Sequence, residues 1–401
     1  MFGCTYVPGG ELVEEAHAAG GGADYVEGEV IVCYIDTDDM DLTARQERKA
    51  DQLLGDAEEI ATVENVSLAD VSVDESKLTE EVQEAEEVDK TIAAVTSDDK
   101  STEELIEEIE KLPNVDYVEP NYIFKLTEAE AEGEAMTADE LEESEEAAAG
   151  DEPLAEEEAT EENEAELEGT ELNASPNYTG LQWAYKKSYG LYVPDWNNPD
   201  KKNSEGTVVA VIDSGVDYTH EDLDDVMWSD GNGKHGYDFC NEDSDPMDDN
   251  GHGTHCAGII AAEWNGIGVS GTANGTKIMA VKAASAEGYL DYWDILCSYD
   301  YIINQKKRGV NIVAINNSWG SGAESSYGLD EMVTEAGNLG MVSVFSSGND
   351  GRNCDESHTF QSGEGPFTGH YFCYFMKDNP YAIVVDSIAS SDTSDSCYLS
   401  D

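Results

Sequence analysis

Basic residues are scarce in this chain. Its 401 residues hold 20 Lys and Arg against 89 Asp and Glu, a net charge of −69. A protein that grips phosphate needs a basic face, so nucleic acid is excluded as a partner, and so is an anionic membrane surface. No apolar run approaches the ~18–20 residues needed to cross a bilayer, so no membrane segment is expected. The start, MFGCTYVPGGELVEE, has neither a basic stretch nor an apolar core. A secretory leader is therefore not legible: it was removed, the start is misassigned, or the protein stays inside. The eight cysteines include no CxxC pair, which argues against zinc or thioredoxin-type chemistry. Cys354, Cys373 and Cys397 crowd a loop-like stretch where one bridge would suit an oxidising compartment. Buried thiols are the competing reading for the others, and Cys256 sits in an apolar helical run as a packed side chain.

What is present is unevenly spread. Residues 1–172 hold 8 Lys and Arg against 55 Asp and Glu, a net of −47, and residues 173–401 hold 12 against 34, a net of −22. A salt-adapted host would spread the acidity more evenly. Residues 1–27 are rich in Gly and Ala and read as disordered. GEVIVCYI from residue 28 and KTIAAVTS (90–97) read as strands, and 42–56 as a polar helix. TEELIEEIEKL (102–112) reads as a helix, with Ser101 and Glu104 set for a capping box. PNVDYVEPNYIFKL (113–126) follows as a turn and strand, giving a small α+β unit of the split βαβ, ferredoxin-like type. Residues 127–172 contain 21 Asp and Glu, no Lys or Arg and no aromatic, so they read as a solvated acidic linker.

From residue 173 the composition turns globular. TVVAVID (207–213), KIMAVKAA (277–284), NIVAINNS (311–318) and MVSVFSS (341–347) read as buried strands, with helices predicted at 254–263, 291–309 and 326–340. That alternation predicts an α/β fold with a doubly wound, mostly parallel sheet, whose working residues lie at the carboxyl ends of strands. Three candidates fall there. Asp213 closes the first strand, with Gly215 after it for a sharp turn. His252, in NGHGTHCAG, enters an apolar helix and offers an imidazole as general base. Asn349, in SSGNDG, offers an amide to a developing oxyanion.

Together these segments resemble the subtilisin-like serine protease family (subtilases, S8). VIDSGVDYTHEDL is similar to its aspartate motif, GHGTHCAG to its histidine motif, NNSWG (316–320) to its substrate-binding strand and SSGND to its oxyanion asparagine. The resemblance implies a serine endopeptidase acting on proteins or peptides without a catalytic cofactor. Asp213 would orient His252, His252 would take the proton of a serine, and Asn349 would stabilise the oxyanion. Ser318, Trp319 and Gly320 would hydrogen-bond an extended substrate, with Ser346, Ser347 and Gly348 as the opposite wall. Asp222 in HEDL and the loop EWNGIGVSG (263–271) resemble a structural calcium site, with side-chain ligands Asp222 and Asn265 and backbone oxygens of Glu263, Ile267 and Val269. A plain Gly-rich turn is the competing reading of that loop.

Residues 28–126 resemble the family's inhibitor-type propeptide, LPNVDYVEPNYIF fitting its last strand and tail. This implies a secreted or cell-surface zymogen whose own propeptide chaperones folding and blocks the cleft. The acidic linker leaves the maturation site open. The family's nucleophile lies in a Gly-Thr-Ser motif, usually some way beyond the oxyanion asparagine. Only 52 residues follow Asn349, and no Gly-Thr-Ser occurs in the chain. The expectation is thus an incomplete peptidase domain over 173–401, inactive as it stands. The alternative is a non-catalytic remnant or a propeptide-type inhibitor and binding module.

Overall fold

The structure, a computed structural model, describes residues 25–35, 58–64, 90–97, 100–112, 115–127, 204–265, 268–320, 322–323, 326–349, 357–362, 365–371 and 373–385. The expected helix at 42–56, nearly all of the acidic linker, and 173–203 lie outside them. Strand β1 (Tyr25–Ile35) starts inside the stretch read as disordered, so its first three residues are ordered.

The first unit comprises β1, β2 (Glu58–Glu64), β3 (Lys90–Thr96), helix α1 (Thr102–Ile109) and β4 (Val115–Leu126). Its antiparallel order is β4-β1-β3-β2, the arrangement expected of a split βαβ unit. The capping box forms as read: Glu104 N–H donates to Ser101 Oγ at 3.2 Å, and Ser101 N–H to Glu104 Oε2 at 3.3 Å. Both faces of β1 are covered. Val30 and Val32 pack on Leu105 and Ile109 of α1. Ile31 and Cys33 face the opposite way, into the core of the second unit. That second burial is what joins the two units.

The second unit is built on a six-stranded parallel sheet. Its strands are β5 (Val208–Asp213), β6 (Gly236–Asp238), β7 (Lys277–Lys282), β9 (Ile312–Asn317), β12 (Val342–Ser346) and β15 (Ala382–Val385), in the order β15-β12-β9-β5-β7-β6. Helix α2 (His252–Ala261) covers one face, with Ala257 and Ala261 against Val211, Ile278 and Ala280. Helices α3 (Tyr292–Lys307) and α4 (Tyr327–Asn338) cover the other, against Ala210, Ile212, Met279 and Val281. The α/β doubly wound reading therefore holds, and near-continuous apolar runs such as VVAVI follow from burial on both faces. Short strands β8 (Tyr289–Asp291), β10 (Trp319–Gly320) and β11 (Gly322–Ala323), the hairpin β13 (His358–Ser362)–β14 (Gly365–Tyr371), and helix α5 (Cys373–Met376) complete the described elements.

The first unit completes two helix starts of the second. The first N–H groups of α4 receive no side-chain cap from Ser326. Glu119 of β4 accepts from Tyr327 N–H at 3.1 Å and Gly328 N–H at 3.0 Å, and from Tyr292 Oη–H at 2.9 Å. At α3, Asp291 accepts from Asp294 N–H at 2.8 Å while Asn121 of β4 accepts from Trp293 N–H at 2.9 Å. A carboxylate at a helix start is favoured by the helix dipole as well as by these bonds. Of the three cysteines among which a bridge was expected, Cys373 is buried with its Sγ 3.8 Å from the Ser347 carbonyl oxygen, and Cys354 and Cys397 lie outside the described residues.

Candidate active site

Asp213 ends β5, fully buried, and His252 opens α2. Between them stands a hydrogen bond from His252 Nδ1 to Asp213 Oδ1 at 2.8 Å, with Oδ2 at 3.0 Å. The close approach depends on small residues. Gly215 has φ +99°, and a Cβ there would meet the Pro246 carbonyl oxygen at 2.6 Å; a Cβ on Gly253 would lie 2.0 Å from the Gly215 carbonyl oxygen. These are the physical reasons for the glycines that flank both motifs.

The imidazole is held up by its carboxylate. Burial alone would lower the His252 pKa, but the Asp213 hydrogen bond, the nearby Cys256 thiol and the Asp213 charge overcome it and push it up to about 10. The ring's Nδ1 is thus tied to Asp213. Cys256 lies one helical turn on, its Sγ 3.8 Å from Nδ1, so it is a neighbour of the ring rather than only a packed side chain.

Sequence reasoning missed two supports. Asp248 accepts from Ser214 Oγ at 2.8 Å, Asn250 N–H at 3.0 Å, Gly251 N–H at 2.9 Å and Thr254 N–H at 2.9 Å. Burial would raise its pKa, yet these donors outweigh burial and hold the carboxyl below the usual range. It pins the start of α2 to the turn after β5. Lys282, at the end of β7, is the second. Its buried ammonium donates to the Ser214 and Ala284 carbonyls at 2.9 and 3.0 Å and to Asp249 Oδ1 at 2.5 Å. A lysine inside the apolar run KIMAVKAA was the available signal, because a buried charge must find partners.

The remaining candidates gather around the end of β4. Residues Ile123–Lys125 pair antiparallel with β8, and Lys125–Leu126 with β10, so the strand is inserted between two strands of the other unit. Leu126 N–H donates to the Gly288 carbonyl at 2.9 Å and Thr127 N–H to the Ser318 carbonyl at 3.1 Å. Thr127 Oγ1 adds a second bond to that carbonyl at 2.8 Å. Trp319 and Gly320 stand opposite Leu126 and Lys125. Asn349 Nδ2 donates to the Thr127 carbonyl at 3.1 Å. Ser346 Oγ reaches the Trp319 carbonyl at 3.5 Å, Ser347 N–H donates to the Val385 carbonyl at 3.0 Å, and Gly348 turns the chain with φ +96°.

Asp222 and the 263–271 loop also meet. Asp222 is buried, with Oδ2 accepting from Val269 N–H at 3.0 Å, and Asn265 lies within hydrogen-bonding range of the carboxyl. Burial raises the Asp222 pKa against those two donors. Its Oδ1 is buried without a hydrogen-bond partner. An orphaned buried carboxylate oxygen is a ligand that a hard cation takes. Ile267 lies outside the described residues. Among those residues, no helix is long and apolar enough to cross a membrane.

A parallel α/β sheet with an Asp–His pair at its carboxyl edge, beside an inserted extended strand, defines a hydrolase-like site. Residues 204–397 match the family model described as the subtilase family (Peptidase S8). The chain is 41% identical over 175 residues to the thermophilic serine proteinase of Bacillus sp. (strain AK1), covering 43% of this chain and 40% of that protein. It is 32% identical over 164 residues to thermitase of Thermoactinomyces vulgaris, covering 41% and 54%. The chain thus spans about half or less of the length of these relatives. The fold is similar to that of fervidolysin from Fervidobacterium pennivorans, a keratinolytic enzyme related to subtilisin. That likeness has a TM-score of 0.51 at 20% identity and covers 83% of this chain and 41% of that one.

Proposed function

We propose that this chain supplies the Asp–His part and the substrate track of a serine endopeptidase, with residues 28–126 as its intramolecular inhibitor. The observation that carries the reading is the end of β4, an extended segment held between β8 and β10 with its last carbonyl hydrogen-bonded by Asn349. In that role Asp213 fixes the tautomer and orientation of His252, which accepts the proton of an attacking serine and returns it to the leaving amine. Asn349 stabilises the oxyanion. Ser318, Trp319 and Gly320 pair with substrate backbone, and Ser346, Ser347 and Gly348 form the facing wall. Residues 1–401 contain no Gly-Thr-Ser, so this reading assigns the nucleophile to none of them. No catalytic cofactor is needed, and the protein works as a secreted or cell-surface zymogen.

Calcium has a structural place in this reading. Asp222 and Asn265 would hold it, with backbone oxygens of the 263–271 loop. When bound, the ion would satisfy the orphaned Asp222 oxygen and fix the end of α2. Added Ca2+ should then raise the melting temperature of the chain but not that of Asp222→Asn; an equal rise in both would remove the site.

The absence of Gly-Thr-Ser also favours a second reading, a peptide-binding or inhibitory product without turnover. The two are separated by comparing residues 1–401 with the product of the complete gene. We expect a fluorophosphonate probe and fluorogenic peptides to react with the complete product and not with 1–401, and His252→Ala to abolish both reactions. Hydrolysis that survives His252→Ala would overturn the assignment.

A further inference from the structure

The apolar core on the α3 side of the parallel sheet contains a small polar network. Asn317 is the last residue of β9 and is fully buried, as are Tyr299 of α3 and Ser343 of β12. Ile212, Ile302, Ile315 and Phe345 belong to the same core as Tyr299. Burying an amide and two hydroxyls there costs free energy unless each finds a partner. Asn317 Nδ2 donates to the Ile315 carbonyl at 3.2 Å and, across the sheet, to the Val344 carbonyl of β12 at 3.3 Å. The Tyr299 hydroxyl is placed to donate to Asn317 Oδ1 at 3.3 Å and to Ser343 Oγ at 3.0 Å.

The place of the network in the sheet gives it a consequence. Asn317 stands opposite Ile212 of β5 and Phe345 of β12. The residues that follow these three are Ser318, Asp213 and Ser346, the first residue of each wall of the track and the carboxylate of the Asp–His pair. The amide therefore ties β9 to β12 one residue before the two walls leave the sheet. A peptide that pairs with both walls needs their separation held to a fraction of the ~4.8 Å strand spacing. An apolar side chain at 317 would fill the space without fixing that separation, whereas a satisfied polar network specifies one arrangement. The bonds of the Asn317 side chain run to β9, β12 and α3, while the Asp213 carboxylate is held by Ser214 N–H at 2.8 Å and by His252. The network thus bears on how substrate is held rather than on proton transfer.

We infer that Asn317, held in place by Tyr299 and Ser343, is a positioning residue that sets the spacing of the substrate track. This rests on the reading of residues 318–320 and 346–348 as the two walls. Asn317 touches no substrate in this role. It acts through the backbone of β9 and β12, so its loss is felt by long peptides that pair with both walls and not by a small reagent that meets only the nucleophile.

The test uses the complete gene product. Asn317→Leu keeps a side chain of similar size and removes the amide. KM for an extended fluorogenic peptide should rise at least about fivefold, with kcat changed by less than about twofold. The rate of labelling by a small fluorophosphonate should stay within about twofold of wild type. Tyr299→Phe deletes only the hydroxyl and leaves Asn317 Oδ1 without its donor. It should raise KM in the same direction by about two- to fourfold. An unchanged KM in both variants overturns the inference and makes the network a matter of packing. A loss of fluorophosphonate labelling as large as the loss in kcat/KM also overturns it, because damage to the whole fold would act on both alike. Wild-type product that neither hydrolyses peptides nor takes the label overturns the functional reading instead. If Asn317→Leu does not fold, Tyr299→Phe decides alone.

Discussion

Within β4, residues Val115–Pro120 pair with β1 of their own unit, whereas Ile123–Leu126 pair with β8 and β10 of the other. The backbone chemistry is the same in both halves. The difference lies in what else could make the bonds. The first half is tied into a sheet whose faces are buried by α1 and by the second unit, so its register is fixed by the folding of the unit itself. The second half adds to two short strand edges, and any extended peptide of suitable side chains could take its place. One strand therefore serves both as a structural member and as an exchangeable ligand, joined at Glu119 and Asn121, which cap α4 and α3.

The strongest way to break this comparison is to show that the second half ends beside an idle pair. In the complete gene product, Asp213→Asn keeps the shape of the side chain but leaves His252 Nδ1–H without a carboxylate. Peptide hydrolysis should fall by about 10⁴, the order seen when a triad aspartate is so replaced. A loss of less than about tenfold in kcat/KM would mean that the pair does not carry the chemistry.

Next in size is the joint. Glu119→Ala would leave the Tyr292 hydroxyl and the Tyr327 and Gly328 N–H groups buried without their acceptor. At about 1 kcal/mol or more for each buried orphan, docking should weaken by ~3 kcal/mol. The calorimetric melting temperature should then drop by roughly 6–12 °C for a unit of this size. A drop under ~2 °C would show that α4 caps itself from solvent.

How much of this was legible in the sequence differs between the two halves as well. The strands of the parallel sheet were readable because burial on both faces leaves uninterrupted runs such as VVAVID and KIMAVK. Asp213 and His252 were singled out because one closes a strand and the other opens a helix within short glycine-flanked motifs, and the fold places the two side chains in hydrogen-bond contact. The insertion of Ile123–Leu126 was not derivable from its own residues, since alternation of buried and exposed positions is the same whichever edge a strand joins. Lys282 and Asp248 escaped notice because their roles depend on contacts across 68 and 34 residues of chain to Ser214. The second buried face of β1 was unreadable for a related reason: it exists only once the other unit is in place.

The interface also carries a pH signature that would sharpen the comparison. Burial, then the charge of Asp291, raises the Glu29 pKa from 4.5 to about 7 against the Asn121 hydrogen bond at 2.9 Å. Burial raises Asp291 too. A carboxyl raised in the docked state holds its proton there, so its contribution favours docking fully below about pH 4.5 and is lost as pH climbs through about 7. The shift corresponds to ~2 kcal/mol once partial exposure is allowed for. Wild-type melting temperature should therefore fall between pH 5 and pH 8 more than that of Glu29→Gln. Equal falls would remove Glu29 from the account.

The smallest effect expected is the most local test of the exchangeable half. Lys125 lies next to Phe124, but on the outward side of the strand, with its ammonium 5.6 Å from the Tyr289 ring centroid. An exposed cation–π contact contributes ~0.5–1 kcal/mol, and the backbone bonds of residue 125 do not depend on its side chain. Lys125→Ala should thus shift the melting temperature by no more than ~2–3 °C. Replacing the buried Phe124 ring removes a contact of ~2–3 kcal/mol and should act several times more strongly. If the two substitutions weakened docking equally, the segment would not be held as an alternating strand with one face in the track. Its resemblance to a bound peptide would then be a matter of position rather than of recognition.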